Sequence, residues 1–187
     1  MAGMDASPAR TRYYTASSVD GFLATTDHSL DWLLSRTIDQ DGPYGYQPFI
    51  REIGALAMGA STYQWIMDHN ASTGEPWAYD IPAWVFTHRT LTPPPAGADV
   101  RFTHAPVPDV HAAMVQEAAA RDVWLMGGGD LVGQFADHGL LDEVIVSYAP
   151  VTLGAGAPLL PRRLELRLTD TARNGDFVCA RFDVARG

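Results

Sequence analysis

Two short stretches combine glycine, hydroxyl and backbone amide in a pattern that can hold an anion. Met126-Gly127-Gly128-Gly129-Asp130-Leu131 closes the apolar run Val123 to Met126 and opens a segment in which Leu131, Val132 and Phe135 recur at helical spacing, with Gly139 as its stop. Met58-Gly59-Ala60-Ser61-Thr62-Tyr63 repeats the plan: the apolar run Ala55 to Met58 leads into glycine, two hydroxyls and a helix carrying Tyr63, Ile66 and Met67. In a strand-glycine-helix unit the missing side chains bare several N–H groups, and the positive end of the helix dipole reinforces them; phosphate is the common occupant. Either turn by itself can be a plain tight turn, with Ser61 or Thr62 serving as a helix cap. Two such turns in one sheet favour a shared anionic ligand. The spacing also excludes the G-x-G-x-x-G dinucleotide fingerprint, because Val132 stands where the third glycine belongs and the next glycine is Gly133.

Two further positions can do chemistry. Thr87-His88-Arg89 is the one close His and Arg pair at a predicted strand end. Asp31 lies in the first turn of a short helix for which Ser29 is the predicted cap; an acid there either complements the helix dipole or donates and relays a proton at a pocket mouth.

The elements that must position these residues alternate along the chain. Strands are predicted at Tyr13 to Ala16, Ala55 to Met58, Ala83 to Thr87, Val100 to Phe102, Val123 to Met126 and Glu143 to Tyr148. Phe22 to His28 reads as a loop, a helix around Pro48 ends at Gly54, residues 69–82 read as a surface loop, and Pro106 to Ala120 reads as a helix. At the C-terminus Leu164, Leu166 and Leu168, then Val178, Ala180, Phe182 and Val184, alternate with polar residues on either side of Asn174-Gly175, a hairpin signal. Strands alternating with helices, then strands alone, predict an α/β fold with a mostly parallel sheet covered on both faces and an antiparallel C-terminal hairpin at its edge. Ligands of such sheets sit at the carboxyl ends of the strands, which puts the turns at Gly59, Thr87 and Gly127 on one rim. Residues 1–11 read as a disordered tail and residues 12–187 as one domain.

Composition narrows the function. A net charge of −9 and a pI near 4.9 argue against nucleic acid as partner. No run approaches membrane-spanning length, and the start has no charged end followed by an apolar core. Cys179 is the only cysteine, so no internal disulfide forms, and a reducing, cytoplasmic location is expected. The six histidines lack ligand spacing, and no metal is expected.

Four stretches together resemble the dihydrofolate reductase superfamily, most of all its branch related to the reductase domain of the bifunctional riboflavin-biosynthesis deaminase-reductase. They are Ser17-Ser18-Val19-Asp20-Gly21-Phe22 with Asp31-Trp32-Leu33 behind it, the two glycine turns, and Leu141-Asp142-Glu143 leading into Pro150-Val151-Thr152-Leu153-Gly154-Ala155-Gly156-Ala157-Pro158-Leu159. The resemblance implies a dihydrofolate reductase-like three-layer fold. It implies that Gly59, Ser61, Thr62, Gly127, Gly128, Gly129, Asp130 and Leu131 bind the diphosphate of NADPH, with Thr87, His88 and Arg89 facing its adenosine. It further implies a substrate lying against Val19, Asp20 and Trp32, with Asp31 as the catalytic carboxylate, a cis Gly127-Gly128 peptide, and a homodimer formed partly by the C-terminal strands. Ala60 departs from the arginine usual after that glycine, which leaves Arg89 as the candidate for the cofactor's 2′-phosphate. The H-x-E and C-x-x-C pattern of the deaminase half is absent. The expected activity is NADPH-dependent hydride transfer to a small heterocyclic (pterin or riboflavin-precursor-like) or carbonyl substrate; the alternative is a nucleotide- or pterin-binding module without turnover.

Overall fold

The computed structural model describes residues 8–186; residues 1–7, most of the expected disordered tail, and Gly187 lie outside them. In chain order the elements are β1 (Thr11–Ser18), β2 (Phe22–Ala24), α1 (Asp31–Leu34), α2 (Tyr46–Arg51), β3 (Ile53–Gly59), α3 (Ala60–Thr73), β4 (Ala83–Phe86), β5 (Val100–Thr103), α4 (Val107–Glu117), β6 (Asp122–Gly127), α5 (Gly129–Asp137), β7 (Glu143–Ala149), β8 (Ala157–Pro158), β9 (Leu166–Asn174) and β10 (Phe177–Val184). Eight strands form one sheet in the order β5-β4-β3-β6-β1-β7-β10-β9. The pairings from β5 to β7 are all parallel, while β10 runs antiparallel to β7 and β9 antiparallel to β10.

The strands without polar alternation are those covered on both faces. Val123 and Leu125 of β6 pack with Val110, Met114, Val132 and Phe135 of α4 and α5, whereas Leu56 and Met58 of β3 and Trp124 of β6 pack with Phe49 of α2 and Tyr63 of α3. Helix, sheet and helix thus make three layers, and burial on both faces explains the unbroken apolar runs. Because β3 and β6 are neighbours, with Met58 opposite Gly127, the two glycine turns emerge side by side.

The opposite rim is braced by charge. Arg12 is 8% exposed, and its guanidinium donates to Glu143 Oε2 at 2.6 Å and Asp122 Oδ2 at 3.2 Å, with Glu52 as a third partner. Arg10 adds bonds to Glu143 Oε1 (3.1 Å) and Asp183 Oδ1 (2.8 Å). Both arginines sit where a tail was expected to end, so the anchored chain starts earlier than hydropathy suggests.

Other boundaries also differ from the sequence reading. Phe22 to Ala24 is not loop but a strand paired with β8, the partner lying more than 130 residues away by number. Gly54 lies inside β3 instead of ending α2; a β carbon there would come within 2.3 Å of Ala118 O, so the glycine admits the end of α4. Helix α3 runs on to Thr73 and stops at Gly74 in the left-handed conformation, φ 76°. Helix α4 ends at Glu117 because Ala119 and Ala120 take positive φ. In the C-terminal hairpin Gly175 and Asp176 form the turn, and Asn174 points inward, its amide donating to Asp39 O (2.8 Å) and Pro43 O (2.9 Å).

Candidate functional site

A cavity of about 1560 Å³ runs along the carboxyl rim of the parallel strands. That exceeds the roughly 300–1,000 Å³ of a pocket for one small ligand and suits two molecules side by side.

Its centre is the pair of glycine turns. A β carbon on Gly59 would lie 3.7 Å from Gly128 N, so the turns touch. The Gly127-Gly128 peptide is cis. Gly59 and Gly128 are the N-caps of α3 and α5, both extended, and no side chain caps either helix. The hydroxyls of Ser61 and Thr62, which sequence alone left open as caps, make no hydrogen bond to the described residues; both residues line the cavity, as do Gly59, Gly127, Gly128, Gly129, Asp130 and Leu131. The first-turn N–H groups of two helices therefore converge on one place without a side-chain cap among the described residues, an arrangement that suits an anion.

Asp130 is the single carboxylate in the lining among the described residues. It would repel an anion were it free. The Gln134 amide donates to it at 3.0 Å and Arg162 at 3.1 Å, and these bonds, Gln134 first, hold its carboxyl below the ordinary range. Arg162 also binds Asp137 at 3.0 Å, so its one positive charge is shared by two carboxylates, and these bonds turn Asp130 along its own helix.

One end of the cavity is formed by the ends of β4 and β5. Thr87, His88 and Arg89 line it. The Thr87 hydroxyl accepts from Arg89 N (2.9 Å) and donates to Arg89 O (3.1 Å), so it shapes the turn that presents Arg89. His104, missed by the sequence reading, lies at the neighbouring strand end with its ring 5.8 Å from that of His88. The signal was available: β5 is parallel to β4, and the same rim rule applies to the residue after it. Gln134 and His138 of the α5 segment complete this end.

The other end lies over β6, β1 and β7. Tyr46, Tyr79, Trp124 and Phe177 make an aromatic wall, with Thr15, Ser147, Gln40 and Arg36 as polar neighbours. Tyr79 and Trp124 meet edge to face at 5.9 Å. Ser147 Oγ is engaged with Cys179 Sγ at 3.3 Å. Tyr46 makes no side-chain hydrogen bond to the described residues, and partial burial pushes its hydroxyl pKa up, so it stays protonated and able to donate. These residues come from loops and from long-range pairing, and no local motif marks them.

The expected substrate-side residues do not line the cavity. Helix α1 is a single turn, and Leu30, Leu33 and Leu34, spaced i, i+3 and i+4, face the cavity. That spacing turns Asp31 to solvent and Trp32 toward Ala149 and Phe177. Val19 is 61% exposed. Asp20 is occupied in a loop-to-loop link described below. Asp31 thus has the position of a helix-start acid, in place of the carboxylate nearest a substrate.

Comparison with known proteins agrees with this architecture. Uncharacterized protein YwjB of Bacillus subtilis (strain 168) is 32% identical over 175 residues, covering 90% of this chain and 94% of that protein. Among solved structures, a candidate riboflavin biosynthesis protein from Shewanella sp. PV-4 superimposes with a TM-score of 0.76 at 23% identity, covering 95% of this chain and 99% of that one. Acinetobacter baumannii RibD gives a TM-score of 0.65 at 17% identity over 95% of this chain and 58% of its own, which shows the dihydrofolate reductase-like fold. With residues 11–176 matching the RibD C-terminal domain and a covering relative above 30% identity, the chain belongs to the RibD C-terminal domain family.

Proposed function

We propose that this protein is a reductase that binds NADPH across the two glycine turns and reduces a small planar substrate held against the aromatic wall. The observation that carries the reading is the convergence of two helix N-termini without side-chain caps, from adjacent parallel strands, in a cavity large enough for cofactor and substrate together. The N–H groups around Gly59 to Thr62 and Gly128 to Leu131 fit a diphosphate, and Arg89 with His88 and His104 fits the phosphate that distinguishes NADPH from NADH. When bound, the nicotinamide supplies hydride. The chain's own part is to position the two partners, exclude water with Tyr46, Tyr79 and Trp124, and offer the substrate the Gln40 amide and the Tyr46 hydroxyl. With Asp130 committed to Gln134 and Arg162, and Asp31 away from the cavity, Tyr46 replaces a carboxylate as the nearest donor of a proton.

Titrating NADPH into the protein and following its fluorescence tests the first half. Loss of reduced-nicotinamide absorbance against a panel of dihydropterins, ribosylated aminopyrimidines, flavin precursors and quinones tests the second. Failure to bind NADPH refutes the reading, and binding without oxidation by any acceptor reduces it to a nucleotide-binding module.

A further inference from the structure

Asp20 occupies an exposed turn, yet its carboxylate is fully engaged. The Ser18 hydroxyl donates to Oδ1 at 2.6 Å, Leu153 N–H reaches Oδ1 at 3.0 Å, and Gly154 N–H reaches Oδ2 at 2.7 Å. Ser18 is itself buried and accepts from Phe22 N at 2.9 Å, so a chain of bonds runs from the sheet through Asp20 into the 151–156 loop. Among the described residues these are the sole side-chain hydrogen bonds joining the β1–β2 segment to that loop. The rest of the link is backbone: Val19 N to Val151 O at 2.8 Å, Leu159 N to Gly21 O at 2.9 Å, and the two-residue strand β8 against β2.

That link forms a flap. Leu23, Ala24, Ala157 and Pro158 are part of the cavity wall. The flap also bears on the glycine turn, since a β carbon on Gly129 would lie 2.3 Å from Pro158 O and 2.6 Å from Leu159 O. A two-stranded pair this short is marginal alone, so an added anchor decides whether it stays formed. A charged acceptor for two loop N–H groups is such an anchor.

We propose that Asp20 is a latch: it holds the β2–β8 flap against the glycine turn and thereby sets the rate at which a ligand leaves the cavity. It acts on the ligand through the loop, as a positioning residue. The inference rests on the dinucleotide reading for its ligand readout, while its loop readout is independent of any ligand. Hydrogen exchange of the Leu153 and Gly154 amides is measured in ligand-free wild type, Asp20→Asn and Asp20→Ala, and NADPH release is followed by stopped flow. Wild type protects both amides. Asp20→Ala loses that protection while the amides of the central strands keep theirs, and it releases NADPH about 5- to 30-fold faster, the factor to which one or two kcal/mol corresponds. Asp20→Asn keeps a carbonyl acceptor and falls between them. Unchanged amide exchange overturns the latch, as does slower release from both variants, which would mean that Asp20 merely repels an anionic ligand. If Asp20→Ala does not fold, the Asn variant decides by the same measurements. Absence of NADPH binding to wild type overturns the proposed function, and amide exchange then judges the latch by itself.

Discussion

Replacing Arg89 with alanine isolates the 2′-phosphate, the only group by which NADPH and NADH differ. Ala60 offers no cation at the glycine turn, and Arg89 has no ion-pair partner among the described residues although it lines the cavity. Its side chain is therefore available, and the Thr87 hydroxyl fixes the backbone that presents it. A charge-assisted hydrogen bond from a guanidinium is worth roughly 1.5–3 kcal/mol, which corresponds to about 10- to 150-fold in affinity. Arg89→Ala should weaken NADPH by that factor and leave NADH within about twofold, the scatter expected of a remote surface change. Isothermal titration with both cofactors reads the difference. His88 and His104, 5.8 Å apart at the same strand ends, are the other side chains that could reach the same phosphate. Parallel weakening of both cofactors would place Arg89 on a shared part of the dinucleotide. No change in either would make it a solvated strand-end residue, and both results refute the argument.

Three other perturbations probe the scaffold. Gly129→Ala puts a β carbon against two backbone carbonyls of the flap, and overpacking of this kind costs roughly 1–3 kcal/mol, so Tm should fall by about 2–12 °C and NADPH binding should weaken with it. A melting curve coincident with wild type would show that the flap yields freely. Arg12→Ala leaves Glu143 buried without its main partner at about 3–5 kcal/mol, or roughly 6–20 °C in Tm, yet cofactor affinity should hold because the network lies on the opposite rim. The third concerns assembly: Val178 (61% exposed), Leu168 (58%) and Leu166 (38%) share one uncovered face of the β10–β9 edge, which we propose as the homodimer contact. Light scattering should give twice the 20.3 kDa chain mass for wild type and the single mass for Leu168→Glu; a monomeric wild type would rule the dimer out.

What the sequence determined by itself was local order and its periodicity. Unbroken apolar runs at Ala55 to Met58 and Val123 to Met126 required strands buried on both faces, and glycine before a helix start required bare N–H groups at their ends. Those two facts already place the two glycine turns side by side on one rim, since both are written in consecutive residues. The alternation of Leu164, Leu166 and Leu168 was equally legible, but alternation says which residues share a face and not what covers it. Leu164 packs on the core whereas Leu168 stands 58% exposed. The aromatic end of the cavity was decided by tertiary structure alone. Asp31 and Trp32 share one helical turn with Leu33 and Leu34, and because the leucines face the cavity the acid points to solvent and the indole packs toward Ala149 and Phe177. Asp20 gained its partners only when the 151–156 loop folded back across more than a hundred residues. Tyr46 at the start of α2, Gln40 just before it and Tyr79 from the loop ahead of β4 meet Trp124 of β6, and pairing between such segments is fixed by the shared core and by strand register, neither of which leaves a periodic trace in the chain.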